Sequence, residues 1–557
     1  MHYLLRPLAC ILLCTLLLTG CVPSGSGGVP PSQVLGTSTE SDRVAPSALK
    51  TTAWPAGPSV KTVIPGTPTA APTAVPTILP TSTPVPAVLD VSAQAAALLP
   101  SFAADLAGAE TWDHYQISAT LDPTALTISG TQQMLVRNGA SVPFEALYFH
   151  LYPNHPDFGG ELSVADVRVN DQLVPVTSEQ DGVLLRVGLP RPLAPGEQVR
   201  VMMNFLARTQ RNASGSAYGA FNQEAGVWSL ASFYPVLARY FADGWDRRPV
   251  SSRGDLAVTE TALYDVTLDT PVDWRLVTTG TQVETNPPGN LPPEGYRRER
   301  FVSGPQRDFF LAAINGLNQA SADVDGTRVT VYYRPEYDAA GQRSLAIAAQ
   351  SLQAFNARYG RYPLTEMEVV QAALTRFLGV EYPGVMLIEQ RLYASNGRGL
   401  ETTIAHEVAH QWWYSLVGND FQGAAWLDEG LASYSQVVYY ESLGDAVSAA
   451  AELQQFRDIY LSVRNAGNDG VVNRPNAAFR GNYVALVYAK SALFFHALRR
   501  QMGDETFYAF LQRYYDTYCY GEATGSDMLA TAEATCGCDL QALYDAWITS
   551  TVPVEIP

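Results

Sequence analysis

Basic residues are scarce in this chain. Lys and Arg number 36 against 54 Asp and Glu, for a formal net charge of −18, and a surface of that sign repels a polyanion, which excludes nucleic acid as a partner. Lysine itself is nearly missing: after Lys61 the 557 residues contain only Lys490. Of six cysteines, Cys10, Cys14 and Cys21 lie at the start, leaving Cys519, Cys536 and Cys538 for a folded domain. Those three lack both the spacing and the fourth ligand of a metal site of their own. Cys519 can pair with either Cys536 or Cys538, a closure that stabilises by ~3 kcal/mol on the chain-entropy model and leaves one thiol over. The opening apolar run, from Leu8 to about Leu18, falls short of the ~20 residues needed to span a bilayer.

What is present is apolar material in quantity, 47% of the residues, enough for several cores in a chain of this length. Residues 1–21, "MHYLLRPLACILLCTLLLTGC", combine Arg6 with an apolar core of signal-peptide length. Their end, Leu18-Thr19-Gly20-Cys21, resembles the lipobox of bacterial lipoproteins. That resemblance implies export and a lipid on Cys21 that holds the protein to a membrane surface without spanning it; an ordinary signal peptide with a chance cysteine is the alternative. From 22 to 90 the chain is Pro, Thr, Ser, Ala and Gly without hydrophobic periodicity, a composition expected of a disordered tether.

Between 108 and 335 the apolar pattern has period two. Val199, Val201, Met203 and Phe205 alternate with Arg200, Met202 and Asn204, and similar runs are separated by Pro, Gly, Asn and Asp. An N-terminal antiparallel β-sheet domain is expected there. From 336 to 557 helical spacing takes over, with Leu345, Ala348, Leu352 and Phe355 first, interrupted by the strand-like "EMEVVQA". The expected fold class is multidomain α+β, with an α-rich second domain.

Two of only seven histidines stand four apart in "AHEVAHQWW", residues 405–413. On a helix, His406 and His410 share a face and can aim at one point, with Glu407 beside it. Leu400, Ile404, Val408, Trp412 and Leu416 supply an apolar stripe for that helix on another side. A catalytic zinc typically takes three protein ligands and leaves one position for water. Downstream, "AAWLDEGLASYSQVVYY" reads as a second helix, carrying Glu429 with eighteen residues between it and His410; it can complete a His2Glu site of the thermolysin type.

HExxH followed by "WLDEGLASY" resembles the aminopeptidase N family of gluzincin zinc metallopeptidases, peptidase family M1. The likeness extends through "HQWW" and the preceding β-region, over most of the chain after 110. It implies a thermolysin-like catalytic domain, one Zn2+ on His406, His410 and Glu429, and Glu407 as general base. It also implies substrate binding through "LGVEY", with Gly379 and the amine-binding Glu381, and catalysis by Tyr488 in "YAKS", with Tyr483 the alternative. Leu378, Val380, Tyr382 and Ser491 depart from the family's pattern. Read without the family, Tyr488 is a core tyrosine and Glu381 a loop cap or ion-pair partner. For a second amine-binding residue the first domain offers Gln223 and Glu224.

The implied reaction removes N-terminal residues from peptides. Glu407 moves the proton, Tyr488 donates to the oxyanion, and Glu381 holds the substrate's α-ammonium. The chain ends at Pro557 without room for the large C-terminal helical domain many relatives place over the site, so an open cleft is expected. Openness keeps a zinc endopeptidase in play, beside a non-catalytic binding protein on the same scaffold or a hydrolase of another electrophile.

Overall fold

The computed structural model describes residues 91–211, 220–251, 253–255, 257–287, 291–374, 376–395 and 397–556. The expected signal peptide, Cys21 and the expected tether over 22–90 lie outside the described residues. Those described belong to one compact unit that begins at Pro84.

The alternating segments of the first half are strands. In Gln198–Arg208, Val199, Val201, Met203, Phe205 and Ala207 are buried while Arg200, Asn204, Leu206 and Arg208 face solvent. That strand lies in an eight-stranded sheet that runs from Thr281–Thr285 at one edge to Gln172–Leu173 at the other. A four-stranded sheet around Phe144–His150 and a five-stranded sheet around Leu311–Ile314 accompany it, and all three contribute to one core that includes Ile117, Leu147, Val201 and Leu311. The expectation of a purely antiparallel sheet is corrected. Asp113–Asp122 pairs in parallel with Ala262–Pro271, from Asp113 opposite Ala262 to Thr120 opposite Asp269. Alternation reports which face is buried and says nothing of strand direction.

The second half is built on a five-stranded sheet, ordered Asn318–Val324, Thr327–Tyr333, Glu366–Ala372, Val385–Glu389 and Gly379–Tyr382. Its first two strands precede residue 336, so alternation at Val329, Val331 and Tyr333 belongs to this sheet. Both of its faces are covered. Val329, Val331, Met367, Val369, Met386 and Ile388 face the helices, whereas Val370, Val385 and Leu387 join the core of the first half. Upstream, residues 94–111 form short helical turns that dock here, with Leu99 N donating to Pro363 O at 2.8 Å and Thr365 N to Ala97 O at 3.0 Å.

Helix α1, Asp338–Tyr359, buries Ala348, Leu352 and Phe355. α2 is Gly399–Ala409, α3 Trp426–Ser442, α4 Ala446–Asn465 and α5 Ser491–Met502. The apolar stripe of α2 is buried as its spacing suggests, but the helix stops before the stripe does. Trp412 and Leu416 lie in turns after Ala409, where Tyr414 has φ of 143°, and Trp412 donates its indole N–H to Gly360 O at 2.9 Å.

α6, Asp504–Tyr518, and α7, Gly525–Cys536, complete the packing. Thr524 and Asp527 form a capping box at the start of α7. Its end corrects the expectation for Cys519: Gly537 turns the chain at φ 64°, Cys538 folds back onto Cys536 in a disulfide, and Cys519 remains a free thiol. Among the described residues no helix is long and apolar enough to cross a membrane.

Candidate metal centre and active site

α2 and α3 lie side by side and bring three buried ligand groups together. His406 Nε2 stands 3.2 Å from Glu429 Oε2 and 3.1 Å from His410 Nε2, and His410 Nε2 stands 3.3 Å from Glu429 Oε2. Ligands at the ~2.0–2.1 Å bond lengths of zinc lie roughly 3.3 Å apart around a tetrahedron. The three atoms therefore fit one such ion.

The outer ring atoms are also committed. His410 Nδ1 meets Trp413 O at 2.9 Å, a bond in which Nδ1–H must donate, so the lone pair is left on Nε2. The Gln436 amide meets His406 Nδ1 at 3.2 Å. Two imidazole nitrogens that close together, one of them a bare lone pair, need a proton or a cation between them. Burial disfavours a charged His410, but Glu381 and Glu429 outweigh it and hold its pKa well above the usual imidazole value. Burial likewise raises Glu429, yet its bonds to His406 and His410 win and bring it to about 2. The centre is thus built to hold positive charge against one ionised carboxylate.

Glu407 is buried beside this centre, its Oε2 without a hydrogen-bond partner among the described residues. Burial, then Glu381, raises its pKa well above the usual carboxylate range. It rests on the backbone of Gly379: a Cβ there would sit 2.1 Å from Glu407 Oε1, so only glycine leaves room. Gln411 ties the same strand to the turn after α2, donating to Tyr382 O at 3.1 Å and accepting from Gly384 N at 2.8 Å.

Glu381 follows two residues after Gly379, 7% exposed, with Oε1 at 3.8 Å from His410 Nε2. Sequence reasoning missed its neighbour. Asp255, from a loop of the first half, lies close enough to Glu381 to feel its charge, and burial followed by that charge pushes it well above its ordinary pKa. "SSRGDLAV" has no periodicity, so nothing local marks Asp255 as a site residue. Of the two residues the sequence offered instead, Gln223 accepts from Arg211 at 2.7 Å. Asp428, next to Glu429, is also buried and bound by Asn419 at 2.9 Å. Glu381, His410 and Asp428 could also surround a cation, but with His410 Nδ1 on Trp413 O that grouping needs the same Nε2 as the first.

Tyr488 donates its hydroxyl to Glu429 Oε1 and stacks on His406 with ring centres 5.9 Å apart. It sits in a π-helical stretch, Val484–Lys490, that leads into α5. Widened turns of this kind are frequent at functional sites because they shift the phase of the side chains. Ser491 explains how α3 and α5 come close: a Cβ on Gly430 would stand 2.6 Å from Ser491 Cβ, while Ser491 Oγ donates to Leu486 O at 3.0 Å. Tyr483 lies against Gly254, whose missing Cβ would fall 2.4 Å from its hydroxyl.

Residues 343–547 match the model of the Peptidase family M1 domain. The matched segment holds His406, Glu407, His410, Glu429, Glu381 and Tyr488. The chain is 26% identical over 345 residues to Aminopeptidase M1 of Arabidopsis thaliana, covering 58% of this chain and 37% of that protein. To Aminopeptidase M1-A of Oryza sativa subsp. japonica it is 23% identical over 469 residues, covering 81% and 51%. It therefore spans about half, or less, of the length of these relatives. A solved M1 zinc metallopeptidase from Deinococcus radiodurans superposes with a TM-score of 0.60 at 21% identity, covering 80% of this chain and 95% of that one. The fold is shared with it from the β-sheets to the helical part.

Proposed function

We propose that the protein is an exported zinc aminopeptidase that removes residues from the N-terminus of peptides. One observation carries this reading: three ligand atoms within 3.3 Å of one another stand beside a carboxyl pair, Glu381 and Asp255, at one end of the site. His406, His410 and Glu429 would hold the zinc, which supplies Lewis acidity to acidify a water and polarise the scissile carbonyl.

The chain's own groups do the rest. Glu407, kept dry on Gly379, accepts the attacking water's proton and returns it to the departing amine. Tyr488 donates its hydroxyl to the oxyanion as the carbonyl carbon becomes tetrahedral. Glu381 and Asp255 together receive the substrate's α-ammonium and fix the first peptide bond over the metal ligands.

Mass spectrometry of products from one peptide, offered with a free and with an acetylated N-terminus, tests the reading. Stepwise shortening of the free peptide alone is expected. Equal internal cleavage of both would establish the endopeptidase reading in its place, and would remove the counting role from Glu381 and Asp255.

The apolar run, its Leu-Thr-Gly-Cys end and the Pro/Thr-rich segment to residue 90 support export and lipid anchoring through Cys21. Labelled palmitate is expected to enter the bacterially expressed protein and to be lost in Cys21→Ser. Equal labelling of both would end that part of the proposal.

A further inference from the structure

Arg307 is the only arginine with no solvent exposure among the described residues. It comes from the first half, between the strands Tyr296–Val302 and Leu311–Ile314, yet its guanidinium reaches the turn that follows α2. Nε donates to Tyr414 O at 2.8 Å, Nη1 to Thr259 O at 3.2 Å, and Nη2 to Gly521 O. The turn is shaped around it. A Cβ on Gly418 would lie 2.1 Å from Arg307 Cζ, so the guanidinium occupies the space a side chain would take.

Residues 410–418 satisfy part of their backbone among themselves, Tyr414 N donating to Val417 O at 3.0 Å and Val417 N to Trp412 O at 2.9 Å, but not Tyr414 O. α2 has ended, Tyr414 has φ of 143°, and its buried carbonyl would lack a partner without Arg307. The preceding carbonyl, Trp413 O, is the one that His410 Nδ1 grips at 2.9 Å. Neighbouring bonds bind the same turn from both sides. Ser415 N donates to His410 O at 3.0 Å and Ser415 Oγ to Gln306 Oε1 at 2.9 Å. Gly418 N donates to Gly521 O at 3.1 Å, which also accepts from Arg307.

We infer that Arg307 is a positioning residue for the metal ligand His410, acting from the first half of the chain through the turn 413–418. Arg307 holds Tyr414 O, the carbonyl of the peptide between Tyr414 and Ser415; this fixes the Tyr414 backbone, so the preceding peptide keeps Trp413 O aimed at Nδ1. Without Arg307 the Tyr414–Ser415 peptide can turn, and the Tyr414 backbone passes that shift to Trp413 O, the partner that directs His410 Nε2. The inference rests on reading His406, His410 and Glu429 as the metal ligands.

The test measures zinc affinity by competition with a chromophoric chelator, and thermal unfolding, on the soluble protein from about residue 91 onward. Wild type, Arg307→Lys, Arg307→Met, Ser415→Ala and Arg239→Gln are compared. Arg239 pairs with Glu522 in the same interface; Glu522 also meets Arg307 Nη1 at 3.5 Å, so losing Arg239 loosens the interface while the Arg307 bond to Tyr414 O stays in place. Removing a group that orients a metal-bound histidine typically weakens binding ~10–100-fold. The two Arg307 variants are expected to bind zinc at least about 10-fold more weakly and to alter the visible spectrum of the cobalt-loaded protein. Arg239→Gln is expected to unfold earlier with unchanged zinc affinity.

Folded Arg307 variants that unfold earlier but bind zinc as wild type does would overturn the inference. Should they fail to fold, Ser415→Ala decides: weaker zinc binding supports it, and unchanged binding overturns it. Wild-type protein that binds no zinc would instead overturn the ligand reading, and the inference with it.

Discussion

At the scale of single residues, the site depends on groups whose surroundings differ more than their chemistry. Five carboxyls, on Asp255, Glu381, Glu407, Asp428 and Glu429, crowd one cleft; burial holds Asp255, Glu407 and Asp428 well above their ordinary pKa, whereas bonds to two histidines pull Glu429 below its own. Glu407→Gln keeps the shape but cannot accept a proton. It is expected to lower kcat by roughly 10²–10⁴-fold while zinc affinity stays, as single-turnover assays with a chelator titration can check. Gly379→Ala puts a methyl where the Glu407 carboxylate now lies. Its kcat should fall with zinc retained; an unchanged kcat would mean that Glu407 has room to move and still work. Asp255→Asn should raise KM for free peptides in steady-state assays, with acetylated ones uncleaved as for wild type, because its proposed partner is the ammonium alone.

At the scale of elements, the stretch Val484–Lys490 is the least ordinary. Its sequence, "VALVYAK", has an apolar face compatible with a plain helix, and the widened turn comes from packing. The sole lysine among the described residues holds it: Lys490 Nζ donates to Asp469 Oδ1 at 3.1 Å and to Gly470 O at 3.3 Å, while Tyr460 donates to the other Asp469 oxygen at 2.8 Å. Lys490 is fully buried and Asp469 is 16% exposed. Removing one partner of a buried pair costs about 3–5 kcal/mol, so Lys490→Met should lower Tm clearly, as calorimetry would register. The scarcity of lysine was readable from the chain; that this lysine braces the stretch carrying Tyr488 was not, since Asp469 lies in an irregular loop.

At the scale of the whole molecule, the two halves share structure that the change of period at residue 336 conceals. Two strands of the second sheet, Asn318–Val324 and Thr327–Tyr333, come from before that point, and Val370, Val385 and Leu387 are buried in the first half's core. A truncation beginning at residue 336 would expose that apolar face and an unpaired sheet edge. It should aggregate, whereas protein from about residue 91 should remain monodisperse in size-exclusion chromatography. Acid should loosen the assembly through His496, which burial, then Arg499, hold at about 4. Because the unfolded imidazole takes its proton near 6.5, the stabilising contribution is full above about 6.5 and is lost as pH falls toward about 4. The Tm of His496→Phe should therefore fall less over that interval than the Tm of wild type.

Along the chain itself, periodicity separated the sheet half from the helical half, and the spacing of His406, His410 and Glu429 marked the candidate metal site. Both are local properties: a helix puts positions four apart on one face, and a strand alternates its faces, whatever the rest of the protein does. Tertiary structure alone decided the parallel strand pair, the end of α2 at Ala409, the Cys536–Cys538 bond, and the meetings of Asp255 with Glu381 and of Arg307 with Tyr414, each more than a hundred residues apart in the chain. Such meetings depend on which surfaces become buried against each other, and hydrophobic burial carries no direction that a stretch of sequence can record.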